Sequence, residues 1–447
     1  MINVIIGLLG LGLVVFLHEL GHLIAAKKMG VTVEAFSVGW GPKIWSFERG
    51  GTDYRISWLP IGGYCKMKGE RALLKAWQEK TSTIEVEPGD FYAARPWQRI
   101  VVLFAGPAIN YLFAVLVFAA IALVGYTVYT YENRIVLAAD YYDHSTPAAE
   151  AGLLTGDRIV GIDDTPVETF RDIQTIVSRN AGNRLLFTVN RNGRTLEIPI
   201  EPALVTESGA GQIGVFPWVD PVVAQVGEES AAEIAGLLPG DRIVAVNGES
   251  YAHSVAIDQA IRSGGSNPVT LTVERNGSGR DLTLVPGSED ERIGIYFETL
   301  QVRTPRYGPI GALGEGFRSS AETLALTIHG IGLLFRGVDI NRALMGPVRI
   351  TYLVGEVATE SLSAGLGSAL LSFFNFLSLI SITLFFMNLL PIPVLDGGQI
   401  LLSLLEVMRR RPLNPRLVYH YQLIGNIIII GLMFFAFFND IVFFAGG

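Results

Sequence analysis

The chain has 447 residues, 50% of them hydrophobic, a formal net charge of −8 and a mean hydropathy of +0.40. These values exclude an ordinary soluble globule, which is less apolar, and a bare bundle of membrane spans, which carries fewer charges. The acidic balance leaves no footprint for nucleic acid, and a single cysteine, Cys65, excludes an internal disulfide and reads as a small packing residue.

In chain order, the first feature is an apolar run, Ile2–Ala26, long enough to cross roughly 30 Å of hydrocarbon. It lacks the basic start and the cleavage site of a secretory signal, which leaves it as a span. Inside it stands His18-Glu19-Leu20-Gly21-His22. Histidines four apart on a helix differ by roughly 40° of rotation, so both imidazoles leave one face. Such a face can hold one Zn²⁺, and the adjoining Glu19 can act on water held there. Each ionisable group costs on the order of 2.5–3.5 kcal/mol at mid-bilayer, so a cluster of them points to a task. The motif in this setting points to hydrolysis of peptide bonds within a membrane.

All seven lysines lie between Lys27 and Lys80, in the loop before the second run, Ile100–Tyr126. The third and fourth runs, Leu370–Leu395 and Leu423–Ala445, flank Arg409, Arg410, Arg411 and Arg416. The section from Thr127 to Ala369 has no lysine, 18 Arg and 30 acidic residues. The positive-inside rule puts the basic loops in the cytoplasm, and the acidic section and both termini outside.

Within the acidic section, Ala151-Gly-Leu-Leu-Thr-Gly-Asp-Arg-Ile-Val160 recurs as Ala235-Gly-Leu-Leu-Pro-Gly-Asp-Arg-Ile-Val244. At the same offset, Phe187-Thr-Val-Asn-Arg-Asn-Gly193 recurs as Leu271-Thr-Val-Glu-Arg-Asn-Gly277. Alternating residues that end in Asn-Gly predict a strand entering a tight hairpin. Short strands, Ile213-Gly214-Val215 and Ile293-Gly294-Ile295, close each copy. The pattern resembles bacterial PDZ domains. That resemblance implies two domains, 127–217 and 218–300, with substrate peptide received at Gly214 and Gly294 by strand addition. A rigid gate or spacer over the site is the alternative. The segment Tyr307–Phe335 is too polar for a span; an amphipathic helix on the outer membrane face and a helix packed on the PDZ pair both fit.

A catalytic zinc needs three protein ligands and an open position. The third candidate is Asp396, in Asn388-Leu-Leu-Pro-Ile-Pro-Val-Leu-Asp-Gly-Gly398. Pro391 and Pro393 prevent a regular helix there, and Gly397 and Gly398 permit tight backbone around the carboxylate. Read alone, Asp396 fits a helix-end cap equally well. Topology is an independent check, because His18 and Asp396 both fall near the cytoplasmic ends of outside-in spans.

These motifs together resemble the site-2 protease family of intramembrane zinc proteases, in its bacterial form. Phe36-Ser-Val-Gly-Trp-Gly-Pro42, Pro60-Ile-Gly-Gly-Tyr-Cys-Lys-Met67 and Ala105-Gly-Pro-Ala-Ile-Asn110 extend the match over the whole chain. The resemblance implies a multi-pass membrane protease of four spans, with Zn²⁺ on His18, His22 and Asp396, and Glu19 as general base. It implies that Asn388 engages substrate backbone; five residues earlier, where the family often has a second asparagine, stands Thr383. It implies a membrane-associated β-hairpin sheet whose edge, around Gly62, Gly63, Tyr64, Cys65 and Lys66, pairs with substrate. Residues 1–126 and 370–447 then form the membrane core, and 301–369 an outer-face linker. The implied partners are the bilayer of a bacterial inner membrane and single-span substrates: anti-sigma factors trimmed outside, and leftover signal peptides. A non-catalytic scaffold is the rival reading, and Glu19 argues against it.

Overall fold

The structure is a computed structural model and describes residues 2–205, 209–286, 293–334 and 346–445. The chain divides into two compact units: Met1–Gly125 with Pro305–Gly447, and Tyr126–Thr304.

The first unit opens with helix α1, Ile2–Met29, apolar apart from Asn3, His18, Glu19 and His22 until Lys27 and Lys28 in its last turn, where cations suit the negative helix end. Strands β1, Val33–Arg49, and β2, Thr52–Met67, form a hairpin bent by bulges. The bends set Ala35–Val38 against Asp53–Ile56 on one side and Gly63–Lys66 on the other. The row Gly63–Met67 therefore lies at the sheet edge. Gly62 leads into it at φ +83°, where a Cβ would press on the Trp40 indole. Helix α2, Glu70–Gln78, precedes α3, Pro96–Val124. Helices α1 and α3 cross backbone to backbone: a Cβ on Gly21 would strike the Ala105 carbonyl.

The second unit starts with β3, Thr127–Thr130, and holds two bodies of one design. In the first come β4 (Ile135–Leu137), α4 (Pro147–Glu150), β5 (Arg158–Ile162), β6 (Thr165–Pro166), α5 (Phe170–Arg179), β7 (Leu185–Arg191) and β8 (Arg194–Ile200). The sheet order is β6-β5-β7-β8. A small hairpin, β9 (Ala203–Leu204) with β10 (Gly211–Gln212), leads to β11 (Val215–Pro217), which pairs back on β4. The second body repeats this with β12 (Val223–Val226), α6 (Ala231–Ile234), β13 (Arg242–Val246), β14 (Glu249–Ser250), α7 (Ser254–Ser263), β15 (Val269–Arg275), β16 (Ser278–Leu284) and β17 (Ile295–Phe297). Its sheet runs β14-β13-β15-β16, and β17 pairs on β12. Strand β18, Leu300–Arg303, returns to β3. Asn192 and Asn276 adopt φ of +51° and +52°, as the two Asn-Gly hairpin turns require. Alternation sends Phe187 and Val189 into one core, and Leu271 and Val273 into the other.

The first unit resumes with α8, Pro309–Leu334, and α9, Pro347–Glu360. Then come α10, Leu366–Leu389, α11, Asp396–Arg409, and α12, Pro415–Ala445. Among the described residues, α1, α3, α10 and α12 are the helices long and apolar enough to cross a membrane. The third apolar run outlasts its helix: α10 stops at Leu389, because Pro391 and Pro393 cannot continue it. Helix α8 packs along α3, where Gly316 meets the Val115 carbonyl. Phe335, at the end of that predicted segment, falls outside the described residues. Helix α9 packs on α1, with Gly7 against Thr351 and Gly355 against Asn3. Its first turn is capped by the buried carboxylate of Asp440 from α12, which accepts from the Gly346, Val348 and Arg349 amides at 2.8, 3.0 and 3.2 Å.

Candidate metal centre

His18 and His22 leave α1 on one face, and Asp396 is the first residue of α11. The loop that delivers it is tightly packed: a Cβ at Gly397 would meet the Leu389 carbonyl, and one at Gly398 the Ile392 carbonyl. Val394 sits at φ +81°, a strained conformation for a β-branched residue, two positions before the carboxylate.

The three side chains converge. His18 Nε2 and His22 Nε2 are 3.1 Å apart, and Asp396 Oδ2 stands 3.3 and 3.4 Å from them. A tetrahedral ion with bonds of ~2.0–2.1 Å sets its donors roughly 3.3 Å apart, so the triangle fits zinc. Each imidazole is also oriented from behind. His22 Nδ1–H donates to the Val102 carbonyl at 2.9 Å, which turns the Nε2 lone pair toward the triangle. His18 Nδ1 lies 3.3 Å from the amide of Asn110, a residue with no exposed surface. With Oδ1 turned toward His18, the amide accepts from His18 Nδ1–H, which leaves the Nε2 lone pair free for an ion.

A cavity of about 400 Å³ adjoins the triangle. Its lining includes His18, Glu19, His22, Tyr64, Cys65, Asn388, Asp396 and Gln399. The predicted ligands, base, asparagine and two of the edge residues therefore share one space. The Cys65 main chain hydrogen-bonds Glu19, and a Cβ on Gly63 would lie 3.4 Å from Glu19 Cγ. Gly62, Gly63 and Lys66 belong to the same strand but do not line the cavity; Lys66 pairs with Glu34 at 2.7 Å. Thr383 is not in the lining, and its hydroxyl donates to the Leu379 carbonyl of its own helix. Gly214 and Gly294 belong to the second unit, where Gly294 lines a separate groove of about 170 Å³ between β17 and α7.

Sequence reading passed over Asn110 as an orienting group, the Val102 carbonyl, and Gly106, where a Cβ would collide with the His22 ring. An amide within an apolar helix was the available signal for Asn110. The other two depend on how α1 and α3 cross.

Comparison with known proteins gives a consistent result. A family model described as Peptidase family M50 matches residues 6–432. A Treponema pallidum protein named as a zinc metalloprotease is 40% identical, covering 99% of each chain. One of the same name from Borreliella burgdorferi is 30% identical over 98% of each chain. The Escherichia coli regulator of sigma-E protease RseP is 30% identical over 97% of each.

Proposed function

The chain belongs to peptidase family M50, the site-2 proteases, and from its membership as a zinc-dependent, multi-pass membrane protease we propose that it cuts peptide bonds inside the bilayer. His18, His22 and Asp396 hold the ion in this reading. When bound, zinc supplies Lewis-acid polarisation to a scissile carbonyl and to water. Glu19 is the group placed to take a proton from water in the cavity and to deliver it to the leaving amine. Its place beside the edge row, tied to the Cys65 main chain, keeps the carboxylate facing the cavity.

A membrane helix hides its peptide bonds, so the substrate must unwind first. The edge row Gly63–Met67 can replace the lost helical hydrogen bonds by strand pairing. Asn388 holds the unwound backbone from across the cavity. The basic loops put this cavity on the cytoplasmic side of an inner membrane, with both termini and the β unit outside. The two β bodies are PDZ-like and select substrates, either by binding peptide or by excluding bulky outer domains. By analogy with the sigma-E regulator, the substrates are membrane-spanning anti-sigma factors trimmed outside, and leftover signal peptides.

The observation that carries this reading is the convergence of His18, His22 and Asp396, from the two ends of the sequence, on donor separations of 3.1 to 3.4 Å. The test is cleavage of a tagged single-span substrate in detergent or vesicles, with products mapped by mass spectrometry. A cut within the apolar stretch, lost on chelation and restored by zinc, is expected. Cutting confined to the soluble flanks would contradict the intramembrane reading.

A further inference from the structure

A second cavity, about 690 Å³, opens in the first unit between the start of α3 and the end of α11. Its charged lining is one-sided: Arg95, Arg99, Arg410 and Arg411 against a single acid, Glu406. Glu406 is fully engaged, since one oxygen pairs with Arg99 and the other accepts from the Leu413 amide at 3.0 Å. That leaves Arg95, Arg410 and Arg411 outside every ion pair among the described residues. All three are exposed. Arg99 is buried at 7% exposure, and its Nε has no hydrogen-bond partner. The positive end of the 29-residue helix α3 adds to the field.

Apart from the Thr83 and Tyr92 hydroxyls, the rest of the lining is apolar, with Ile84, Val86, Trp97 and Leu413 prominent. Trp97, at 51% exposure, stands where an indole marks a membrane interface. Beyond it, Val101 and Phe104 on α3, and Leu404, Leu405 and Met408 on α11, are exposed, a surface on which acyl chains can lie. The cavity is thus cationic at its head and apolar at its flank. A free anion would use only the first property.

We propose that this cavity binds the headgroup of an anionic phospholipid, with the phosphate met by Arg95, Arg410 and Arg411 and the acyl chains laid over α3 and α11. The Arg99–Glu406 pair ties α3 to α11 at the floor of this cavity, and α11 carries Asp396 at its opposite end. A lipid seated there steadies the helix that supplies the carboxylate. The proposal goes beyond the protease reading and does not need it, because the test reads lipid binding.

The test is native mass spectrometry of the delipidated full-length chain, titrated with phosphatidylglycerol or phosphatidylcholine of equal chain length. Preferential retention of phosphatidylglycerol is expected. Each arginine near the headgroup is worth about fivefold in affinity, so R95Q/R410Q/R411Q should lose on the order of a hundredfold. Arg411→Gln alone should lose about fivefold. Arg416→Gln, in the first turn of α12 and outside the cavity lining, should lose nothing. Equal retention of the two lipids by the wild type would overturn the proposal, as would an unchanged preference in both arginine variants. Displacement of phosphatidylglycerol by millimolar inorganic phosphate would also overturn it, in favour of a free-anion site.

Discussion

The two units use polar groups in opposite ways. The β unit makes its buried ion pair twice: Arg191 pairs with Asp157 and reaches the Gly152 carbonyl, while Arg275 pairs with Asp241 and reaches the Gly236 carbonyl. A pair that recurs in both copies, each with its carboxylate buried, holds a loop to a sheet and is structural. The membrane unit makes its devices once. Among the described residues, the cluster of His18, His22, Asp396 and Asn110 has no second copy, and all four gather at one place. Polar groups are costly in an apolar setting unless paired, so singular ones concentrated at one point mark where the chemistry lies. The β bodies also differ where they could take up a peptide. β11 carries Pro217, which has no N–H, whereas β17 carries Phe297 and borders an open groove.

The largest effect is expected at the singular set. Asp396→Asn removes the one carboxylate of the proposed ligand set, and zinc content and cleavage should both vanish in parallel. Retained stoichiometric zinc, measured by elemental analysis, would send the search for the third ligand elsewhere. Next comes Asn110→Leu, which keeps the ligands but releases His18 Nδ1. Orienting contacts of this kind are worth ~10–100-fold in affinity or activity. A zinc titration that matches the wild type would reduce Asn110 to a packing role.

A smaller, directional effect is expected on the sheet edge. Cys65→Pro should impair cleavage strongly, because it removes the N–H that donates to Glu19 and disrupts the edge row offered for strand pairing. Cys65→Ala should be near wild type. Equal activities of the two, at equal expression, would count against strand pairing.

The smallest effect on catalysis is expected from the duplicated set. Arg275→Gln should lower the unfolding midpoint of the β unit and leave zinc content untouched. Hydrogen bonding to Arg275 holds the Asp241 carboxyl below the usual carboxylate range. A carboxyl with a lowered folded value stabilises above its unfolded value of ~3.9, and the benefit fades as pH falls through the folded value. Calorimetry below about pH 4 should therefore narrow the gap between wild type and R275Q. A gap that widens on acidification would refute that linkage. Loss of zinc in R275Q would undo the contrast between the units.

How much was legible in the sequence follows the same division. His18, Glu19 and His22 could be read because a helix fixes their common face. Asp396 could be read because two prolines and two glycines surround a lone charge at the end of an apolar run. The repeated strands and Asn-Gly turns were equally plain. What could not be read depends on how helices meet. Gly106 looks like any glycine until α3 is laid across α1, and Val102 contributes only a carbonyl that every residue has. The boundary of α10 was blurred because apolar composition runs on past Leu389 although the backbone turns there. Helix α9 was missed altogether: its companion is Asp440, far along the chain, and its own pattern is weak.

The central claim is that one metal centre, served by Glu19, does the cutting. Glu19→Gln tests it most directly, because the change alters neither ligand geometry nor side-chain volume to any extent. Zinc content and cleavage of the single-span substrate should be measured on the same preparation. One zinc per chain with no detectable product is the predicted result. One zinc per chain with wild-type turnover would contradict it.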